Sequence, residues 1–185
     1  MEPYRIAVFV GSLRKESFNR RLALALEKLA GGRAHFEYLN IGDIPLYNQD
    51  HDTDFPVQGT RLKDRIRQAD AVLFVTAEYN RSIPGVLKNA IDTASRPYGD
   101  NAFDGKPAAV IGTSPGAAGT AMAQQHLRNV LVFVNLAVMA QPEAFLQYKE
   151  GLIDADGGIG NDGTRKFLQG YVDRFMDWTA AHRQH

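Results

Sequence analysis

The chain contains no cysteine among its 185 residues, which excludes disulfides, thiolate metal sites and cysteine nucleophiles. It also lacks net charge. Its 21 Lys and Arg balance 21 Asp and Glu, so no overall field recruits nucleic acid or an anionic membrane. No uninterrupted apolar run approaches the ~20 residues that span a bilayer. The N-terminus has no basic segment followed by an apolar run and a small-residue cleavage site. The five histidines (His35, His51, His126, His182, His185) are scattered, with no carboxylate at triad-like spacing and no His-x-x-His metal pair. No serine sits in a Gly-x-Ser-x-Gly elbow. Esterase, metal-dependent, nucleic-acid and membrane roles therefore have no residues to carry them. The expectation is a soluble cytoplasmic protein, with which the absent cysteine agrees.

What is present suits one globular domain over residues 1–185. Hydrophobic residues make up 44% and charged residues 23%, and the length is sufficient for a full core. The informative stretch runs from Val8 to Arg20. Arg5 to Val10 reads as a buried strand that Gly11 ends, and Leu22, Ala25, Leu26 and Leu29 then share one face of a helix. Between them lies a polar loop with Ser12, Arg14, Ser17 and Asn19. The first backbone N–H groups of a helix have no internal partner and carry partial positive charge, so a phosphate suits this place. The loop is neither G-x-G-x-x-G nor a Walker loop, which favours a mononucleotide over a dinucleotide or a triphosphate. Capping alone is the other use for Ser12, Ser17 and Asn19.

Further along, Gly31-Gly32 stops the helix and Ala34 to Ile41 alternates as a second strand. Residues 42–59 form a long irregular loop. A basic helix over 59–68 is expected to expose Arg61, Lys63, Arg65 and Arg67. Residues 69–76 read as a central strand, apolar on both faces. Ala77-Glu78-Tyr79-Asn80-Arg81 follows, then a helix with Pro84 at its first position. Residues 108–113 form a fourth strand, opening into Ser114-Pro115-Gly116 and further small residues. A helix over 121–133, a short strand near 136–139, a glycine-rich connection over 157–163 and an aromatic helix over 164–182 complete the chain.

Strand and helix thus alternate five times, which calls for a parallel sheet covered on both sides through right-handed crossovers. The expectation is an α/β, flavodoxin-like three-layer αβα sandwich with a five-stranded parallel sheet of order 2-1-3-4-5. Its switch point lies between strands one and three. The loops over 11–19, 77–83 and 113–120 follow strands one, three and four, and so meet at one rim.

The segments Gly11-Ser12-Leu13-Arg14 with Ser17 and Asn19, Glu78-Tyr79-Asn80 running into Ser82-Ile83-Pro84-Gly85-Val86-Leu87-Lys88-Asn89-Ala90-Ile91-Asp92, and Ser114-Pro115-Gly116 with Gly119 resemble the NAD(P)H-dependent FMN reductase family. That family includes bacterial quinone, chromate and azo-dye reductases. Two positions depart from its pattern: Ala77 stands where proline is usual, and Thr93 where an aromatic often follows Asp92. The resemblance implies non-covalent FMN, its phosphate held by Ser12, Arg14, Ser17 and Asn19 and by the backbone N–H of Phe18 and Asn19. It places residues 77–81 along the isoalloxazine and Ser114 to Gly116 at the pyrimidine side. Lys88, Asn89 and Asp92 would support the loop and not touch the ligand. No catalytic side chain or metal is implied, because the cofactor carries the chemistry. NADPH or NADH would reduce the flavin and leave, and a small-molecule acceptor (quinone, azo compound, free flavin or metal oxyanion) would then take its place. Arg81 is a candidate for the nicotinamide nucleotide's phosphates. Family members are typically dimers or tetramers, which makes residues 42–58 (with Tyr47 and Phe55) and the aromatic last helix candidate contact surfaces. The rival reading is a flavodoxin-type electron carrier without turnover of its own, although that class's acidic docking surface is missing here. A scaffold that has lost its cofactor is a third.

Overall fold

The computed structural model describes residues 2–183. Its parallel sheet has the order β2-β1-β3-β4-β5, with β6 also on β4. The strands are β1 (Tyr4–Gly11), β2 (Ala34–Tyr38), β3 (Ala71–Thr76), β4 (Pro107–Ser114), β5 (Ala137–Val138) and β6 (Phe145–Gln147). The helices are α1 (Phe18–Ala30), α2 (Val57–Gln68), α3 (Gly85–Ala94), α4 (Ala121–Phe133) and α5 (Asp162–His182). Among the described residues no helix is long and apolar enough to cross a membrane.

The period of two in the central strands divides the core into halves. Ile6, Val8, Leu73, Val75, Ala109 and Ile111 pack on one side, against Leu22 and Leu26 of α1 and Tyr171 and Phe175 of α5. Phe9, Val72, Phe74, Ala108 and Val110 pack on the other, against α2, α3 and α4. There the rings of Phe9 and Phe74 stack at 4.9 Å. These strands are covered on both faces, which is why their sequences read as apolar runs without alternation. Tyr171, fully buried, gives its hydroxyl a partner by donating to the Val110 carbonyl at 2.9 Å.

Several expectations need correction. The second strand stops at Tyr38 and the third begins at Ala71. The basic helix starts two residues early, at Val57, and Pro84 is the N-cap of α3, one place before its first helical position. Lys63 is not exposed: at 3% exposure its ammonium lies over the Phe55 ring and donates to the Arg96 carbonyl and to Asp100. The edge of the sheet is also broken. β5 pairs with Pro107 and Ala108, the chain leaves the ladder, and β6 rejoins β4 at Gly112 to Ser114. Pro142 lies in that gap and has no N–H to give to a ladder. Phe167 of α5 stays exposed, while the rest of its aromatic side belongs to the chain's own core. Leu168, Tyr171 and Phe175 are buried in it, and Trp178 donates to the Ala137 carbonyl at 2.7 Å. Tyr47 and Phe55 pack on their own chain as well, while Leu46 and Val57 of the same stretch are exposed. The side chain of Asn89 accepts from the Tyr47 N–H and donates to the Ile44 and Pro45 carbonyls.

Candidate active site

At the carboxyl end of the sheet, the loops after β1, β3 and β4 line one cavity of about 160 Å³. From the first loop come Ser12, Arg14, Ser17, Phe18 and Asn19; from the second Ala77, Glu78 and Tyr79; from the third Ser114 and Pro115, with Thr113 beneath them. Gly11, Asn80, Arg81 and Gly116 do not line it. The missing side chain of Gly11 makes room for Leu87 and Thr76, since a Cβ there would stand 3.1 Å from the leucine. Gly116 is open, its Cβ position meeting only Ser114 Oγ at 3.6 Å.

The opening loop is built to leave donors free. Ser17 caps α1, its hydroxyl accepting from the Arg20 N–H at 3.2 Å. The N–H groups of Phe18 and Asn19 precede that cap bond and find no acceptor among the described residues. No acidic residue occupies the first turn of α1 to neutralise them. The three nearby arginines divide their work. Arg21 donates to Glu16 at 2.9 Å and to the Tyr148 hydroxyl at 3.0 Å. Glu16 first and then Tyr148 raise its guanidinium above the ordinary value, so it remains a committed cation. Arg20 lies over the Tyr38 ring at 4.5 Å. Arg14 has no carboxylate or carbonyl partner among the described residues and rests over the Phe18 ring at 4.8 Å.

Two side chains expected at the ligand are engaged elsewhere. Asn19, 3% exposed, donates to the Thr113 carbonyl and accepts from the Thr113 N–H, both at 3.0 Å. Its side chain joins α1 to β4, and its backbone N–H stays without an acceptor among the described residues. Glu78 accepts from the Ala123 N–H at 3.1 Å. It thereby caps α4, whose own N-cap residue Thr120 makes no side-chain capping bond and whose first turn holds no acid. Tyr79 and Ser82 exchange backbone hydrogen bonds around Asn80 and Arg81, which both take positive φ (52° and 63°). This two-residue turn presents the half-exposed Tyr79 and the exposed Arg81 outward. Lys88 pairs with Asp92 along α3 at 2.8 Å, and neither lines this cavity. Tyr148, in none of the motifs, stacks on Phe18 with centroids 3.8 Å apart. No sequence spacing marks it, since it reaches α1 only because β6 rejoins the sheet.

Fold and rim together define a mononucleotide-binding protein of the flavodoxin-like class. The chain belongs to the NADPH-dependent FMN reductase family, whose model matches residues 4–151. It is 51% identical over 179 residues to the 2-hydroxy-1,4-benzoquinone reductase of Burkholderia sp, covering 97% of this chain and 98% of the relative. It is 40% identical to the quinone reductase of Escherichia coli K12, over 96% of each. Among solved structures it is similar to FerB, the flavoenzyme NAD(P)H:(acceptor) oxidoreductase of Paracoccus denitrificans. The TM-score is 0.95 and the identity 54%, over 98% of this chain and 100% of that one. A WrbA-like flavodoxin from Agrobacterium tumefaciens, at 15% identity and TM-score 0.63, shares the fold alone. The chain is thus an oxidoreductase with FMN as cofactor and NAD(P)H as electron donor.

Proposed function

We propose that the rim cavity takes the phosphate and ribityl chain of FMN and that the protein passes electrons from NADPH or NADH to quinones. The carrying observation is the set of uncommitted donors at the cavity: the Phe18 and Asn19 N–H groups, the Arg14 guanidinium and the Ser12 hydroxyl. These fit a dianion, since hydrogen bonds to charged groups contribute about 1.5–3 kcal/mol each. At about 160 Å³ the cavity is smaller than the roughly 300–1,000 Å³ that encloses a whole ligand. It suits the polar tail and leaves the ring system on the open rim between Tyr79 and Ser114. When bound, FMN supplies the two-electron chemistry. The chain's residues anchor and orient it: the Tyr79–Ser82 turn borders one edge, Ser114 to Gly116 the other, and Arg81 stands where it can attract an anionic nucleotide. The names of the relatives support a quinone as acceptor; azo compounds, free flavin and metal oxyanions belong to the same reading at the family level. Self-association as a dimer or tetramer is also part of it, and the exposed Met122, Val132 and Phe133 on α4 support this.

The test is NADH and NADPH oxidation by the purified yellow protein, with a benzoquinone as acceptor and no partner reductase. Turnover that follows both quinone and nucleotide concentration is expected. A flavin-loaded protein that oxidises neither nucleotide is an electron carrier and not this enzyme.

A further inference from the structure

We infer that Tyr148 is a positioning residue for the phosphate end of the flavin, acting through Phe18 and Arg14; this rests on the assignment of FMN to the rim. Tyr148 follows β6 directly and is fixed at three points. Its N–H donates to the Ser114 carbonyl at 2.8 Å, which ties it to the pyrimidine-side loop. Its ring lies on Phe18 at 3.8 Å and 18°. Its hydroxyl accepts from Arg21 at 3.0 Å and donates to the Ile153 carbonyl at 3.1 Å. A ring held at both ends cannot slide, so the stack fixes Phe18, the first residue of α1.

Phe18 matters twice at the cavity. Its own N–H is one of the uncommitted donors, and its ring is the surface on which the Arg14 guanidinium rests at 4.8 Å. Arg14 is exposed, and without that surface its long side chain would sample many rotamers and lose that entropy on meeting a phosphate. Tyr148 also keeps Arg21 engaged, so of the three arginines around the start of α1 the one left for an anion is Arg14. One residue outside every motif thereby links the phosphate loop to the pyrimidine loop and pre-organises the first.

The test compares FMN with riboflavin, which lacks the phosphate, in fluorescence titrations of the full-length protein after flavin removal. The variants are Tyr148→Leu, Tyr148→Ala, Tyr148→Phe, Arg14→Ala and the Tyr148→Leu/Arg14→Ala pair. Loosening one charge-assisted contact corresponds to roughly a ten-fold weaker Kd. Tyr148→Leu and Tyr148→Ala are expected to weaken FMN by about that factor, with riboflavin changed less than about two-fold. Tyr148→Phe, which keeps the stack, is expected to retain most of the FMN affinity. The double variant should be little worse than Arg14→Ala alone, because the two act on one contact. Equal weakening of both flavins, or fully additive losses, would overturn the inference and leave Tyr148 as ordinary packing. A wild-type protein that does not prefer FMN over riboflavin would instead overturn the assignment of the phosphate to this rim. If Tyr148→Ala does not fold, Tyr148→Leu and Tyr148→Phe decide the matter by the same FMN-to-riboflavin ratio.

Discussion

Replacing Asn19 by alanine removes a carboxamide that serves both backbone groups of Thr113. Asn19 is 3% exposed and Thr113 is 1% exposed, so neither group of Thr113 has bulk water as a substitute. Leaving a buried donor or acceptor without a partner costs about 1–3 kcal/mol, so the two together cost ~2–6 kcal/mol. Both residues line the rim cavity, where a water can enter and recover part of the loss, which sets the expectation at ~2–3 kcal/mol. Urea denaturation of the protein without added flavin is the assay. With a slope near 2 kcal/mol per molar, the midpoint should fall by roughly 1 M, and the melting temperature by about 5–10 °C. FMN affinity should fall less than it does for Arg14→Ala, because the Asn19 carboxamide is uncharged and already serves both backbone groups of Thr113. An Asn19→Ala variant within ~0.5 kcal/mol of wild type would refute the claim that this amide holds α1 to β4.

Three further outcomes follow from the same structure. Gly157 has φ +82° and places a Cβ 2.7 Å from the backbone of Leu24 and Ala25; Gly157→Ala should cost about 2–4 kcal/mol in a chemical melt, and a neutral result would mean the glycine connection does not pack on α1 in this way. Asp100 is held below the usual carboxylate range first by its hydrogen bond from Lys63 and then by the charges of Lys63 and Arg67. Its folded value is depressed, so its contribution is whole above about pH 4 and is lost as the pH falls through the lowered value. Asp100→Asn should therefore be less stable at neutral pH and show a shallower acid limb of urea midpoint against pH; an unchanged limb counts against the pair. Arg81 takes φ 63°, a strain of order 1 kcal/mol that glycine avoids, so Arg81→Gly should melt a few degrees higher while its KM for NADPH or NADH rises. A lower melting temperature with unchanged KM would reverse both halves of that account.

The alternation of five apolar strands with helices called for a parallel sheet covered on both sides, because burial on both faces and crossover handedness are local and chiral constraints; the flavodoxin-like order that five strands favour then brought the three loops to one switch point. The chemical character of the opening loop was legible as well: Ser17 caps, and the Phe18 and Asn19 N–H groups lie where a helix leaves donors unused. What only the tertiary structure decided is where side chains with more than one use are employed. Asn19 and Glu78 carry the residue types of a ligand shell, yet the first binds β4 and the second caps α4, since each meets an unsatisfied backbone group brought near by the fold. Lys63 reads as a solvated charge on a basic helix, but packing against Phe55 and the Arg96–Asp100 turn buries it. Tyr148 had no spacing to mark it, for its role arises from a broken edge strand that returns 129 positions after Asn19 in the chain. Periodicity fixes which face of an element is buried; the partner a polar group finds depends on contacts between segments remote in sequence, and these exist only once the sheet has closed its layers.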